Sequence, residues 1–232
     1  MRRFADRDAV VPGNEPVGTS NRGRGHEGHG MEIAAAQVKE LRARTGAGVM
    51  ECKSALKEAQ GDLERAVTVL RERGMARADR KAGRAASEGL IVAYVHPGGR
   101  IGVLLELNCE TDFVARTEQF QALARDLAMH VAALNPLYVR REEIPEPVIA
   151  EERRVLHVQS AGSGKPPAVV ERIIQGRLEK FFVETCLMEQ PFVKDPERTV
   201  EQVIKEGVST IGENIVVRRF ARYQLGETSD IG

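Results

Sequence analysis

Cys109 is the residue best suited by its type to covalent chemistry, because a cysteine thiolate is a strong nucleophile. Large apolar residues recur at every second position of the segment 101–109, and Cys109 falls on that apolar side. A buried and unreactive thiol is therefore the stronger interpretation. Asp126 and His130 lie one helical turn apart and suggest a catalytic dyad, but this spacing is more typical of a pair on a helix surface.

Two other patterns suggest ligand binding but lack the rest of their motifs. Gly-Ser-Gly-Lys at 162–165 resembles part of a phosphate loop, but the first glycine, a preceding strand and the hydroxyl residue that opens the helix are missing. We interpret this segment as a turn. His26 and His29 lie in a Gly-rich stretch, which is a weak signal for a metal site. We therefore expect no metal and no cofactor.

Cysteine usage and hydropathy indicate the compartment. The three cysteines are widely spaced and include no Cys-x-x-Cys pair, which argues against a disulfide scaffold or a structural zinc site and favours the reducing cytoplasm. No apolar stretch approaches the roughly 20 residues that span a bilayer, so we expect no membrane association.

The charge balance bears on nucleic-acid binding. The 232 residues contain 34 lysines plus arginines and 34 aspartates plus glutamates, so the net charge is zero. Proteins that bind nucleic acid through bulk charge usually carry a basic surplus, so we expect no direct binding to nucleic acid.

The first 30 residues differ in composition from the rest of the chain. Six glycines lie between Gly13 and Gly30, and apolar periodicity is almost absent, so we expect residues 1–30 to be a disordered extension. Met31 stands where helical periodicity begins. The segment is therefore either a true extension or the product of a start codon assigned too far upstream.

Residues 31–74 show the pattern of three short helices. The first ends at Thr45-Gly46-Ala47-Gly48, the second ends at Gly61, and the third opens at Asp62 and ends before Gly74. We expect a small three-helix domain, followed by a basic linker at 75–87. The stretch 71–84 carries six basic and two acidic residues. A solvated connector is the favoured interpretation, and a patch for phosphate or an acidic partner is the alternative.

Residues 88–226 predict an α+β domain. Two strands, 89–95 and 100–110, flank the turn Pro97-Gly98-Gly99 and form an antiparallel hairpin. Four helices follow before a last strand at 213–223, which must return to the hairpin. The fold class is thus α+β, with about three antiparallel strands covered by helices on one face. So small a sheet leaves an edge or an open face for another chain, and residues 227–232 should be a flexible tail.

The corner at 108–116, between the hairpin and the next helix, is the most informative segment. Thr111 or Asp112 can cap the helix. Phe113 and Val114 are large apolar residues at a position that is normally exposed. Such residues either pack against the first turn of the helix and fix its end, or they stay exposed and bind in a pocket of a partner.

Four motifs resemble those of the elongation factor Ts family. They are Thr45-Gly46-Ala47-Gly48-Val49-Met50-Glu51-Cys52-Lys53-Ser54-Ala55-Leu56, the segment 106–116 with Thr111-Asp112-Phe113-Val114, Gln190-Pro191-Phe192-Val193, and the segment 211–220. The resemblance runs from about residue 33 to 225. It implies that the N-terminal bundle is UBA-like.

The resemblance also implies a function. Members of this family are guanine-nucleotide exchange factors that bind elongation factor Tu with GDP, promote release of GDP and Mg²⁺, and stay bound until GTP binds. Carried over, Thr45 to Met50 would contact the GTPase, and Asp112 and Phe113 would intrude near its magnesium site, with Thr111 and Val114 shaping the corner. Such a protein does no covalent chemistry and is not an enzyme. The alternative is an RNA- or ribosome-binding protein that uses residues 71–84.

The chain looks like the short form of the family. It has one copy of the sheet domain and no heptad pattern for the coiled-coil excursion of longer members. The short form pairs as a homodimer. Position 221 in the last strand is alanine, so pairing should be non-covalent.

Overall fold

The computed structural model describes residues 33–160 and 165–227. The predictions for residues 1–30 with His26 and His29, for the turn at 162–164, and for the end of the tail at 228–232 lie outside the described residues.

The N-terminal bundle consists of α1 (Ala35–Thr45), α2 (Val49–Glu58) and α3 (Leu63–Lys81). Gly46 ends α1 because it adopts φ +67°, a left-handed conformation that glycine tolerates without strain. The carboxylate of Asp62 caps α3 by accepting the N–H of Arg65 at 3.0 Å. Because the helices end at these points, the chain can turn and pack the three helices around one apolar cluster. The cluster is formed by Leu41, Cys52, Ala55, Leu56, Ala59, Ala66, Val69 and Leu70.

The prediction that the third helix ends before Gly74 is wrong, since α3 continues to Lys81. A glycine ends a helix when it takes a positive φ, and Gly74 is not among the residues that do. The basic residues of the predicted linker therefore lie largely on the last turns of α3.

The remaining strands are β1 (Glu88–Val95), β2 (Ile101–Cys109), β3 (Pro191–Phe192), β4 (Asp195–Thr199) and β5 (Val216–Gln224). The main sheet has the order β1-β2-β5 and is antiparallel throughout, with Leu90 opposite Leu107 on β2. The expected return of the last strand to the hairpin is confirmed. The separate β3–β4 hairpin is a feature that the sequence analysis did not predict.

Gly89 shows why a strand position can require glycine. It has φ +147°, and a Cβ built on it would lie 2.2 Å from the carbonyl oxygen of Leu107. Only glycine allows β1 to approach β2 this closely.

The helices after the hairpin are α4 (Asp112–Ala115), α5 (Glu118–Leu134), α6 (Glu146–Ser160), α7 (Pro167–Thr185) and α8 (Val200–Ile211). Helices α5 and α8 supply much of the main core together with the inner face of the sheet. Members of this core include Leu105, Leu107, Phe120, Leu127, Val131, Val200, Ile204 and Val208. The α+β class and the sheet with helices on one face are confirmed.

Helices α6 and α7 pack on each other around a small cluster of their own, formed by Leu156, Ile174 and Leu178. Arg141 links this pair to the main core, since it bonds both Glu179 of α7 and Glu189 and lies 4.5 Å from the ring centre of Phe182. Both helices were predicted from the sequence, but their separate shared core was not.

His130 is fully buried, so its predicted place on a helix surface is wrong. Its ring stacks on Phe192, its Nε2 lies 2.9 Å from Oε1 of Gln190, and its Nδ1 accepts the N–H of Val193 at 3.1 Å. Asp126 pairs instead with Lys194. The histidine thus ties α5 to the β3 strand.

Candidate partner-binding site

The corner between β2 and α4 separates its two apolar residues. Val114 is buried, with 7% of its surface exposed, whereas Phe113 is 80% exposed. Thr111 is the N-cap of α4, since its Oγ1 accepts the N–H of Val114 at 3.4 Å. The predicted cap is therefore confirmed. Of the two roles open to the apolar pair, Val114 fixes the helix to the core and Phe113 remains available to a partner.

Glu213 holds the corner in place from the far end of the chain. Its carboxylate accepts the N–H of Glu110 at 3.1 Å, the N–H of Thr111 at 3.0 Å and the hydroxyl of Thr111 at 2.7 Å. Three hydrogen bonds to a carboxylate make a strong and directional anchor. Sequence reasoning gave Glu213 no role, although it lies in the segment 211–220 and directly follows the glycine that ends α8.

Glu110 adds a second anchor beside the first. Its side chain accepts the N–H of Asn214 at 2.7 Å and lies 3.5 Å from the guanidinium of Arg84. The amide of Asn214 in turn donates to the carbonyl of Arg84 at 2.7 Å. The corner is thereby joined both to the start of β5 and to the chain that follows α3.

Asp112 pairs with Arg116 one turn along, at 2.6 Å, and both side chains are more than half exposed. Exposed pairs of this kind contribute little to stability because water screens them. Loss of the Asp112–Arg116 pair would therefore cost the fold little stability.

Cys109 lies fully buried behind the corner, and its Sγ is 3.2 Å from the carbonyl oxygen of Thr111. Burial, with a smaller effect from the charge of Glu213, raises the pKa of the thiol to about 11. A thiol with this pKa carries almost no thiolate at neutral pH. The prediction that Cys109 is buried is confirmed, and the raised pKa supports its interpretation as an unreactive thiol.

The loop between α1 and α2 presents the second apolar segment. Val49 is 50% exposed and Met50 is 73% exposed. The loop itself is fixed, because the hydroxyl of Thr45 donates to the carbonyl of Leu41 at 2.7 Å and accepts the N–H of Ala47 at 3.3 Å. Glu51 accepts the N–H of Gly48 at 3.1 Å. The first turn of α2 thus carries exposed apolar groups on a rigid support.

Within residues 33–160 and 165–227, no group of three or more His, Cys, Asp or Glu side chains is placed to hold a metal ion. None of the helices in these ranges is both long and apolar enough to cross a membrane.

An α+β domain with an exposed apolar corner and a second exposed apolar segment on a helical bundle is typical of a protein that binds another protein. Comparison with known families makes this specific. The sequence model of the family described as Elongation factor TS matches residues 31–227. The chain therefore belongs to the elongation factor Ts family, and it is a translation elongation factor.

Curated relatives agree with this assignment over nearly their whole length. Elongation factor Ts of Moorella thermoacetica is 60% identical over 195 residues, which are 84% of this chain and 96% of the relative. The protein of the same name from Carboxydothermus hydrogenoformans is 57% identical over 84% of this chain and 90% of its own length. That of Geobacter sulfurreducens is 57% identical over 85% and 91%.

Proposed function

We propose that this protein is a guanine-nucleotide exchange factor that binds elongation factor Tu with GDP, promotes loss of GDP and Mg²⁺, and stays bound until GTP enters. The observation that carries the proposal is the 80% exposure of Phe113 on a braced corner in a chain of this family. No covalent bond changes in such a reaction, so the protein is not an enzyme. Its place of action is the cytoplasm.

Linkage sets what the protein must do. Whatever weakens GDP binding must itself be weakened by GDP, so the factor has to bind the empty GTPase better than the loaded one. Lowering the affinity for a nucleotide from nanomolar to micromolar takes about 4 kcal/mol. Burying one phenylalanine side chain contributes about 1.5–3 kcal/mol. Phe113 can therefore supply a large part of the required free energy, and other contacts must supply the rest.

The corner 111–114 contributes to this free energy by inserting into the GTPase as a wedge. Phe113 enters an apolar position of the GTPase, and Asp112 competes for groups near the magnesium ion, which bridges the nucleotide phosphates. Thr111 and Val114 keep the wedge in place, because one caps α4 and the other is buried in the core.

The bundle supplies a second contact. Thr45, Gly46, Ala47 and Gly48 form the fixed loop, and Val49 and Met50 offer exposed apolar surface to the GTPase domain. Two contacts on one partner add their binding free energies while the loss of translational and rotational freedom occurs only once.

The outer face of the main sheet supports a non-covalent homodimer. Four large side chains on this face are between 49% and 66% exposed, namely Ile91, Val95, Leu104 and Tyr223. Leu104 lies opposite Ala93 on one side and Ala221 on the other, so the middle of the face is apolar. A second copy that covers this face would bury it, and the resemblance to the short form of the family implies a homodimer.

The alternative of RNA binding through residues 71–84 gains no support from the side chains. Arg73 pairs with Glu58, Arg77 with Glu51, Arg71 with Glu206 and Arg84 with Glu110. The four glutamates lower the local positive potential that these arginines would offer to phosphates.

Stopped-flow release of fluorescent GDP from elongation factor Tu tests the proposed function. Substoichiometric amounts of the protein should accelerate release by orders of magnitude, because each molecule acts repeatedly. A release rate equal to the spontaneous rate would rule out the exchange function.

A further inference from the structure

Helix α3 joins the bundle to the core through one close helix contact. Gly74, at the middle of α3, faces Ser209 of α8. A Cβ built at Gly74 would lie 3.1 Å from Oγ and 3.4 Å from Cβ of Ser209. Glycine is unfavourable inside a helix, so its presence here is explained by the close approach of the two helices.

Ion pairs fix the register of this contact. Arg71 of α3 lies 3.2 Å from Glu206 of α8, and Asp79 of α3 lies 2.9 Å from Lys205 of α8. Glu206 also pairs with Arg198 at the end of β4. Along α3 these pairs lie on both sides of Gly74, whereas on α8 Lys205 and Glu206 both precede Ser209. Sliding or rotation of α3 would break both pairs together with the Gly74–Ser209 contact.

The same helix contacts the supports of both exposed apolar segments. Near its middle, Arg77 pairs with Glu51, the residue that holds the N–H of Gly48 in the bundle loop. At its end, Lys81 donates to the carbonyl of Gly212, one residue before the glutamate that holds the corner. One helix therefore contacts Glu51, which supports the loop before Met50, and Gly212, which directly precedes the glutamate that holds the corner.

We propose that the α3–α8 contact, with Gly74 as its positioning residue, is a rigid spacer that sets the separation between segment 45–50 and corner 111–114 so that both engage one partner molecule at once. This inference rests on the proposed exchange function. Two linked contacts raise overall affinity only when their geometry lets both form together. A spacer of fixed length holds the two segments in that geometry before binding, so less conformational entropy is lost when the partner binds.

Gly74→Val tests the spacer. Valine has a higher intrinsic helix propensity than glycine, so α3 itself is not weakened. Its Cβ would already be in tight contact with Ser209, and we expect its two methyl groups to displace α8. Gly176→Val is the matched control, since Gly176 is also inside a helix and nothing lies within 4 Å of a Cβ built there. Combining Gly74→Val with Ser209→Gly removes the serine side chain that the valine meets. The double variant should therefore regain the α3–α8 packing and the exchange activity of the parent. Gly74→Ala is the milder variant in case valine prevents folding.

The separation can be measured without any partner. Cys52, Cys109 and Cys186 are all buried, so spin labels will react with cysteines introduced by Lys53→Cys in the bundle and Gln119→Cys near the corner. Pulsed electron paramagnetic resonance should give a narrow distance distribution in the parent and in Gly176→Val. The distribution should shift or broaden in Gly74→Val and recover with Ser209→Gly. An unchanged distribution in Gly74→Val would overturn the spacer.

The exchange assay, on unlabelled protein, gives the functional readout. We expect Gly74→Val to lower kcat/KM for GDP release at least tenfold, mainly through KM, because the corner itself stays intact. A displaced distance with normal exchange would also overturn the spacer. A parent protein that fails to release GDP would remove the proposed function and this inference with it, whereas normal exchange in both parent and Gly74→Val removes the spacer alone.

Discussion

Phe113 keeps a large apolar surface in water although its neighbour Val114 shows that the corner can bury an apolar side chain. The difference follows from the helix, because consecutive residues of an α-helix point about 100° apart. Once Thr111 caps α4 and Val114 faces the core, Phe113 must face outward. Exposure of the aromatic ring is thus imposed by two residues that are themselves fixed.

The cap at Thr111 could be predicted from sequence because capping is a local pattern. The role of Glu213 could not, since its partners Glu110 and Thr111 are separated from it by 103 and 102 positions. Only the return of β5 to β2 brings them together. The part of the site that a local pattern encodes was therefore predictable, and its long-range brace was not.

Glu213→Ala should loosen the corner. It removes the acceptor of three hydrogen bonds, and the loss should lower the free energy of unfolding by about 1–3 kcal/mol and slow GDP release from elongation factor Tu. Urea denaturation and stopped-flow release measure the two effects. Glu197→Ala, which changes an exposed glutamate of β4, is the matched control and should change neither. A Glu213→Ala protein as stable and as active as the parent would contradict the brace.

At the scale of elements, the long periodic helices and the hairpin were predictable, whereas three features were not. Gly74 looks like a stop signal, and its packing against Ser209 overrides that signal. The strand β3 has two residues and no detectable period. His130 is polar by type, and its burial depends on partners from 190–193 that lie 60 or more positions away.

His130 should make stability depend on pH. Burial lowers the pKa of the imidazole below its usual 6.5, although the hydrogen bond to Gln190 opposes this. The unfolded chain then binds a proton more readily than the folded one, so this contribution to stability is complete above about pH 6.5 and falls as the pH decreases below it.

Urea denaturation between pH 5.5 and 7.5 checks this expectation. The free energy of unfolding should rise with pH in the parent and more weakly in His130→Gln, and His96→Gln, which alters a histidine on the surface, should keep the parent slope. Equal slopes in parent and His130→Gln would show that the buried imidazole does not titrate in this way.

At the scale of the whole molecule, one face of the main sheet packs on helices and the other presents apolar side chains to solvent. The class of the fold followed from sequence because the switch from helical to alternating periodicity is strong. The separate core of α6 and α7 did not follow, because an amphipathic helix does not reveal which neighbour covers its apolar side. The spacing of apolar residues shows which face of a helix is buried, but only the tertiary structure shows which element packs against that face.

Leu104→Lys should disrupt the proposed homodimer. The residue lies at the centre of the outer face, and a lysine from each copy would place like charges in an apolar contact. Analytical ultracentrifugation should give twice the chain mass of 25.5 kDa for the parent and the single mass for Leu104→Lys. Val158→Lys, which alters an exposed apolar residue of α6, should leave the dimer intact. A parent that sediments as a monomer at all concentrations would contradict the pairing.

The proposed exchange activity depends most on Phe113, and the release of fluorescent GDP from elongation factor Tu measures the contribution of this residue directly. Phe113→Ala should unfold at the same urea concentration as the parent because the side chain is exposed. It should release GDP roughly ten- to one-hundredfold more slowly than the parent, the range that corresponds to about 1.5–3 kcal/mol of lost apolar burial. Leu137→Ala, which truncates another exposed apolar residue, should exchange normally. A folded Phe113→Ala protein that releases GDP at the parent rate would contradict the wedge.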